Sequence, residues 1–296
     1  MSALTIQILH EPTVKEPFLV VDKPRLLPSA PLHEGDDSAL SQALQLYPAL
    51  SSVCGKKPIE HGLIHRIDTA TRGCVLIAAT QSAYDALVRA QKNNCFEKWY
   101  LAAVEPIAAF KKPLQGFPPL PVKMQAQVQA LVHTAREAYA AYAEHTARGE
   151  HAVCGDHTAH AVLVESCFRP FGPHQAAVRP VTALAGAAAT KKGGTKRYQT
   201  AVSFFAHGSA LLARCSITEG YRHQVRCHLA WLGFPVKGDS LYNPMCALGM
   251  APASENSFVQ QASALLFTAV KIRFPNPVDG SIIDVSLPES ATQELL

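Results

Sequence analysis

Phe18–Val21 is an unbroken apolar run that stops at Asp22-Lys23-Pro24, the pattern of a strand entering a turn. The period then changes. Leu40, Ala43, Leu44 and Tyr47 recur at helical spacing over Ser38–Leu46, and Ser38 suits an N-cap. A loop over Pro48–Pro58 containing Gly55 leads to Gly73–Ala79, a second apolar run that reads as a buried strand. Gln81–Asn93 is helical, with Tyr84, Leu87, Val88 and Gln91 in register and Asn94 where the helix should stop. Trp99–Val104, preceded by Lys98, returns to strand character.

Phe110–Pro121 carries Pro113, Pro118, Pro119 and Pro121 and predicts an irregular connection. Val122–Arg148 is rich in Ala and Gln, has no breaker before Gly149, and predicts a long helix. Residues 150–195 mix His, Ala, Gly and Pro, with strand character only around Ala161–Phe168 and a basic loop, TKKGGT, at 190–195. Arg197–Phe205 and Ala210–Ile217 pattern as a strand pair around His207-Gly208-Ser209. Arg222–Leu232 predicts a helix with Val225, His228, Leu229 and Leu232 on one face and Gly233 as its stop. Leu265–Phe274 and Ile282–Val285 close the chain as strands. Many strands and few helices, in no strict βαβ alternation, predict an α+β (mixed α/β) fold and not a doubly wound one. No internal repeat is present.

Composition narrows the class without choosing a function. A chain of 296 residues with 48% hydrophobic and 17% charged residues can bury a sizeable core and is not disordered. The net charge of +4 permits a polyanionic partner without demanding one. Eight cysteines are scattered singly with no CxxC pair, which fits free thiols in a reducing compartment. The N-terminus lacks a basic region followed by an apolar core, and no apolar run reaches membrane-spanning length, so a cytoplasmic location is expected. No oligomerisation stripe is visible, and a monomer is expected.

Two stretches carry chemistry. His61–Thr80 reads HGLIHRIDTATRGCVLIAAT and places Asp68 two residues after Arg66 and three after His65, just ahead of a buried strand. A carboxylate there must be solvated, paired with a cation, or used. Glu219–Tyr242 reads EGYRHQVRCHLAWLGFPVKGDSLY. On a helix, Arg222 and Arg226 would fall four apart on one face, with His223 beside them. Two cations at a helix start oppose the helix dipole, so a buried carboxylate or a bound phosphate should compensate them.

Together these stretches resemble the two signature blocks of the RluA-type RNA pseudouridine synthases. Val21-Asp22-Lys23-Pro24, Lys98-Trp99-Tyr100 and LLFTAVKIRFPNP leading to Leu287-Pro288 agree in order and spacing. The resemblance covers residues 17–104 and 195–288 and leaves 105–194 as a family-divergent insertion within one catalytic domain. It implies a long, bent, mainly antiparallel sheet flanked by helices, and isomerisation of uridine to pseudouridine in structured RNA, rRNA or tRNA, without cofactor or metal. By matching position, Asp68 is the catalytic aspartate, Tyr100 the active-site tyrosine, and Arg226 the arginine that pairs with the aspartate. Arg66 lies beside the flipped base. His65, Arg72, Arg222, His223, Lys196 and Arg197 join it as expected substrate-binding residues.

The chemistry suits these residue types. Breaking a glycosidic bond builds positive charge on the sugar, which a positioned carboxylate can stabilise or trap covalently at C1′. The uracil never departs, so one acid suffices. Tyr100 can pack on the uracil and assist loss of the C5 proton, and Arg66 can fill the gap left in the base stack. Two departures stand out. Arg72 occupies the place of a usual serine, and Tyr221-Arg222 replace the usual Arg-Thr before His223-Gln224. Both bear on which RNA is read. Only a short segment precedes the first strand, so no N-terminal RNA-binding module is expected, and recognition would fall to the cleft and to the insertion.

Other candidates are weaker. His151, Cys154, His157 and His160 recur every three residues, as zinc ligands could, but Gly155 and Asp156 break any helix there. Lys191, Lys192, Lys196 and Arg197 around two glycines suit backbone phosphates, whereas the glycine spacing rules out a P-loop. Trp99 and Trp231 read as core. A catalytically silent RNA-binding protein on the same fold would not need Asp68, Tyr100 and Arg226 together. A small-molecule glycosidase would need a second acid, and Asp239, in a Gly-Asp turn, reads as structural.

Overall fold

A computed structural model describes residues 4–106, 114–147, 161–183, 185, 190–191, 193–207, 210–247 and 264–295. In chain order the main elements are β1 (Gln7–His10), β2 (Phe18–Lys23), α1 (Ala39–Leu46), β3 (Arg72–Ala78), α2 (Gln81–Lys92) and β4 (Glu97–Val104). There follow α3 (Val122–Ala147), β5 (Val162–Phe171), β6 (Ala177–Val181), β7 (Tyr198–His207) and β8 (Ala210–Ile217). The last are α4 (Gln224–Trp231), β9 (Phe267–Pro275) and β10 (Ile282–Ser286). They gather into two compact units, residues 1–100 with 268–293 and residues 101–267 with 294–296.

In the first unit, β1, β2 and β3 pair antiparallel, β3 pairs parallel with β9, and β10 pairs antiparallel with β9. The continuous apolar runs behave as such runs must, for every residue of β2 is buried, as is β3 from Gly73 onward. Between the strands sits a core in which Phe18 meets Phe274 edge-on at 5.0 Å and Phe96 stacks on Phe274 at 5.7 Å. The helix starts follow the local chemistry. Ser38 and Ser41 form a reciprocal capping box on α1, and Thr80 caps α2 through the Ala83 amide at 3.2 Å. Asn94, just after α2, takes the left-handed φ of +58° expected of a stop.

Gly73 fixes the junction between the Asp68 loop and the sheet. Its φ is +134°, and a Cβ there would lie 2.2 Å from the Ala269 carbonyl oxygen on β9. No other residue type allows β3 and β9 to approach so closely at the point where the loop ends.

The second unit holds an antiparallel sheet in the order β6-β5-β7-β8. α3 packs on β7 and β5 and buries Val128, Val132 and Ala135, a stripe at helical spacing. α3, β5 and β6 fall within 105–194, the segment expected as a family-divergent insertion. Its strands β5 and β6 are half of the second unit's sheet, so the segment builds scaffold, and deleting it would remove structure along with any RNA contact. β1 and β6 were not anticipated from the sequence. The helix expected over Arg222–Leu232 begins two residues later, at Gln224, so Arg222 lies outside it. Trp231 is core as expected, buried with Nε1 donating to the Pro118 carbonyl at 2.9 Å, while Trp99 is half-buried. The His151–His160 cluster lies outside the described residues.

Candidate active site

Asp68 sits in the loop between His61 and β3, and that loop is clamped on both sides of it. Ser29 Oγ donates to the Ile67 carbonyl at 2.8 Å and accepts from the Ile67 amide at 3.1 Å. The Thr69 carbonyl accepts from the Leu26 amide at 2.8 Å and from Lys23 Nζ at 3.2 Å. A turn is closed by the Thr71 amide donating to the Asp68 carbonyl at 2.9 Å. The carboxylate is therefore half-buried on a backbone with little freedom. A group meant to meet a reacting atom gains from such fixing.

Lys23 is the residue of this site that sequence reasoning missed. It is fully buried at the end of β2, and Nζ donates to the carbonyls of Leu27 at 2.7 Å, Pro24 at 3.0 Å and Thr69. Burial lowers its pKa to about 8, against which the charges of Asp68 and Asp22 act to keep it protonated. One cation thus tethers the loop and sets a positive charge in the field of Asp68.

The other expected residues of the first unit take different positions. Arg66 is exposed, with Nη1 3.3 Å from Glu60 Oε1. Tyr100 is buried on β4. The His65 ring tilts against Phe96 at 5.3 Å, and its two ring nitrogens are buried without hydrogen-bond partners among the described residues. Burial, aided by the nearby Lys98 ammonium, holds its pKa down at about 3, so the ring is neutral. Arg72 does not offer its fork to solvent. Nε and Nη2 donate to the buried Asp22 carboxylate at 3.0 and 2.8 Å. The arginine that replaces the usual serine thus has a buried acid as its partner within the fold.

In the second unit, Arg226 lies in the first turn of α4, buried. Nε reaches Asp239 Oδ2 at 2.8 Å and Nη2 reaches Oδ1 at 2.7 Å. The compensating anion anticipated for this helix start includes a buried carboxylate, and it is the residue read as structural. Asp239 Oδ1 also accepts from the amides of Leu241 and Tyr242 at 3.0 and 3.2 Å, so one acid orders both the turn and the arginine. Arg222 donates through Nη2 to the carbonyls of Gln175 and Ala177. His223 takes the left-handed φ of +57°, and its Nδ1 lies 3.1 Å from the Tyr242 hydroxyl. That hydroxyl accepts from the Val178 amide at 2.9 Å. Lys196 pairs with Glu219 at 2.6 Å and Arg197 with Glu165 at 2.5 Å, each at the surface.

Behind α4 runs a buried polar chain. His228 contacts Ser166 Oγ at 2.9 Å and Thr200 Oγ1 at 2.8 Å, while Gln224 Nε2 donates to the Gln199 carbonyl at 2.8 Å and to Thr200 Oγ1 at 3.1 Å. Burial holds the His228 pKa down at about 3. Gln224 and His228 flank Arg226 on the helix, so this chain fixes the rotation and height at which α4 presents the arginine.

Comparisons with known proteins agree with this architecture. The family model described as RNA pseudouridylate synthase matches residues 17–231. Ribosomal large subunit pseudouridine synthase D of Vibrio parahaemolyticus is 22% identical over 291 residues, 96% of this chain and 67% of the relative. The dual-specificity RNA pseudouridine synthase RluA of Escherichia coli is 26% identical over 237 residues, 79% of this chain and 77% of the relative. Human RNA pseudouridylate synthase domain containing 1 superposes with a TM-score of 0.58 at 16% identity, covering 100% of this chain and 89% of that one. Human RNA pseudouridylate synthase domain containing 4 gives 0.52 at 16% identity, covering 96% and 89%. These two likenesses establish the α+β synthase fold, and no described helix is long and apolar enough to cross a membrane. With the family model spanning the first signature block, the segment after it and the second block as far as Trp231, this chain belongs to the RNA pseudouridylate synthase family.

Proposed function

We propose that Asp68 is the catalytic carboxylate with which this chain converts uridine to pseudouridine in ribosomal or transfer RNA in the cytoplasm. The observation that carries the reading is the clamped Ile67–Thr71 backbone, which presents one half-buried carboxylate with Lys23 within its electrostatic reach. Uridine and pseudouridine are isomers, so no net electron transfer is needed and the reaction calls for no cofactor. Cleavage of the N1–C1′ bond leaves the electron pair on uracil and positive charge on the sugar, which Asp68 stabilises or captures at C1′. The uracil turns and C5 bonds to C1′, which frees the Asp68 carboxylate from it; the C5 proton leaves with help from Tyr100, whose ring packs on the base, and N1 takes up a proton from solvent. Arg226, aimed by Asp239, keeps the role of the aspartate's cation that the family resemblance implies. Arg66 is the exposed planar group available to fill the gap left by the flipped uridine.

Tritium release from RNA labelled at uridine C5 tests this directly. Wild-type protein should release tritium from pooled rRNA or tRNA, and Asp68→Asn should bind the same RNA and release none above background. Release by both proteins would move the chemistry away from Asp68.

A further inference from the structure

The second unit carries an aromatic column where the sequence departs from the family pattern. His228 and Phe168 stack at 5.0 Å, and Phe168 and Tyr221 at 4.9 Å with their planes 6° apart. His228 and Phe168 are closed off from solvent, whereas Tyr221 is half-buried. Tyr198, also half-buried, leans on Tyr221 at 5.1 Å and 53°. Core packing needs the column only as far as Phe168; the two tyrosines extend it into solvent. Their rings are held in place by neighbours, so little freedom is lost when a further ring lands on them.

Two cations lie beside this ledge. The Lys196 ammonium lies 5.6 Å from the Tyr198 ring centroid, and Arg222 directly follows Tyr221. Glu219 pairs with Lys196, whereas Arg197 pairs with Glu165 on the sheet face opposite Tyr198. The Arg222 guanidinium meets carbonyl oxygens and no acid among the described residues, so a positive charge remains. Half-exposed aromatic rings beside backbone-reaching cations are the elements that hold an unpaired nucleotide, the base by stacking and the phosphate by charge.

We propose that Tyr221 and Tyr198 form a stacking ledge for an unpaired nucleobase of the RNA substrate, with Lys196 and Arg222 serving the flanking phosphates. The ledge rests on the reading of this chain as an RNA-modifying enzyme and adds to it the feature that the departure from the family motif recognises. Because Lys196 is already paired, binding at the ledge depends more on the base than on salt.

The experiment compares two probes of equal length and charge, a short oligoadenylate and an abasic ribose-phosphate chain, by fluorescence anisotropy on the full chain. Wild type should favour oligoadenylate by about tenfold, the size of one stacked base. Tyr221→Phe should keep that preference and Tyr221→Leu should lose it, with affinity for the abasic chain unchanged. Absence of base preference in wild type, or its survival in Tyr221→Leu, overturns the ledge. If Tyr221→Leu does not fold, Tyr198→Leu is read in its place, and retained preference there overturns the proposal equally. Tritium release by wild type is scored separately. Release without base preference sinks the ledge alone, whereas base preference without release supports the ledge and sinks the synthase assignment.

Discussion

Arg226 and Asp239 form a two-pronged ion pair, at 2.8 and 2.7 Å, inside the second unit, with the arginine 6% exposed and the aspartate 0%. Removing the acid would strand a buried guanidinium and release the amides of Leu241 and Tyr242. Asp239→Ala should therefore lower unfolding free energy by about 3–5 kcal/mol. Asp239→Asn, which keeps an acceptor for the turn, should cost less. Urea unfolding checks both, and a loss under about 1 kcal/mol for alanine would mean that the pair does not hold this turn.

Lys23 and Asp68 should report on each other. The lysine's pKa, lowered to about 8 by burial, is held from falling further by Asp68 and Asp22. In Asp68→Asn the titration of the lysine side chain, followed by carbon NMR, should shift below about 8. An unchanged midpoint would show that the two charges do not sense each other.

Acid should weaken the protein through two buried histidines. His65 and His228 have pKa values lowered to about 3, against 6.5 when exposed. Between these values the unfolded chain binds protons that the folded chain refuses, so stability rises with pH across that window and falls on acidification below about 6.5. Each histidine contributes a slope of about 1.4 kcal/mol per pH unit at most. Denaturation midpoints measured from pH 7 to 4 should fall accordingly. His228→Gln should flatten the profile, and an unchanged slope in that variant would remove His228 from the account.

Arg72→Ser, which installs the family's usual residue, should destabilise this chain by about 1.5–3 kcal/mol, because Asp22 loses its charged hydrogen bonds. Gly73→Ala should do more harm, for the new methyl would strike the Ala269 backbone. Thermal unfolding of the two variants measures both effects. A neutral Arg72→Ser would mean that water replaces the guanidinium at no cost.

The elements legible in the sequence are those whose pattern is local. Ser38 announces its helix because a cap acts within one turn, and Phe18–Val21 announces its strand because every position is apolar. The start of α4 was misplaced by two residues because Arg222 continues the helical spacing, while the left-handed turn at His223 leaves no mark in it. β6 was hidden by Arg179 and Pro180, which look like loop; in the structure the arginine lies 4.2 Å from the Phe171 ring centroid and 4.4 Å from that of Phe117. Asp68 stood out as an acid before a buried strand. Lys23 did not, since a lysine between Asp22 and Pro24 reads as a surface turn, and its burial depends on carbonyls of Leu27 and Thr69 that only the fold brings together.

The parallel pairing of β3 with β9 joins Arg72 and Gly73 to Thr268 and Ala269, nearly two hundred positions further on. At a synthesis rate of about 5–20 residues per second, some 10–40 s separate the emergence of these partners from the ribosome. Throughout that interval β3 lacks the neighbour against which Gly73 is shaped. The closing of the junction that follows the Asp68 loop is thus a late event in the life of the nascent chain, completed only once β9 has been made.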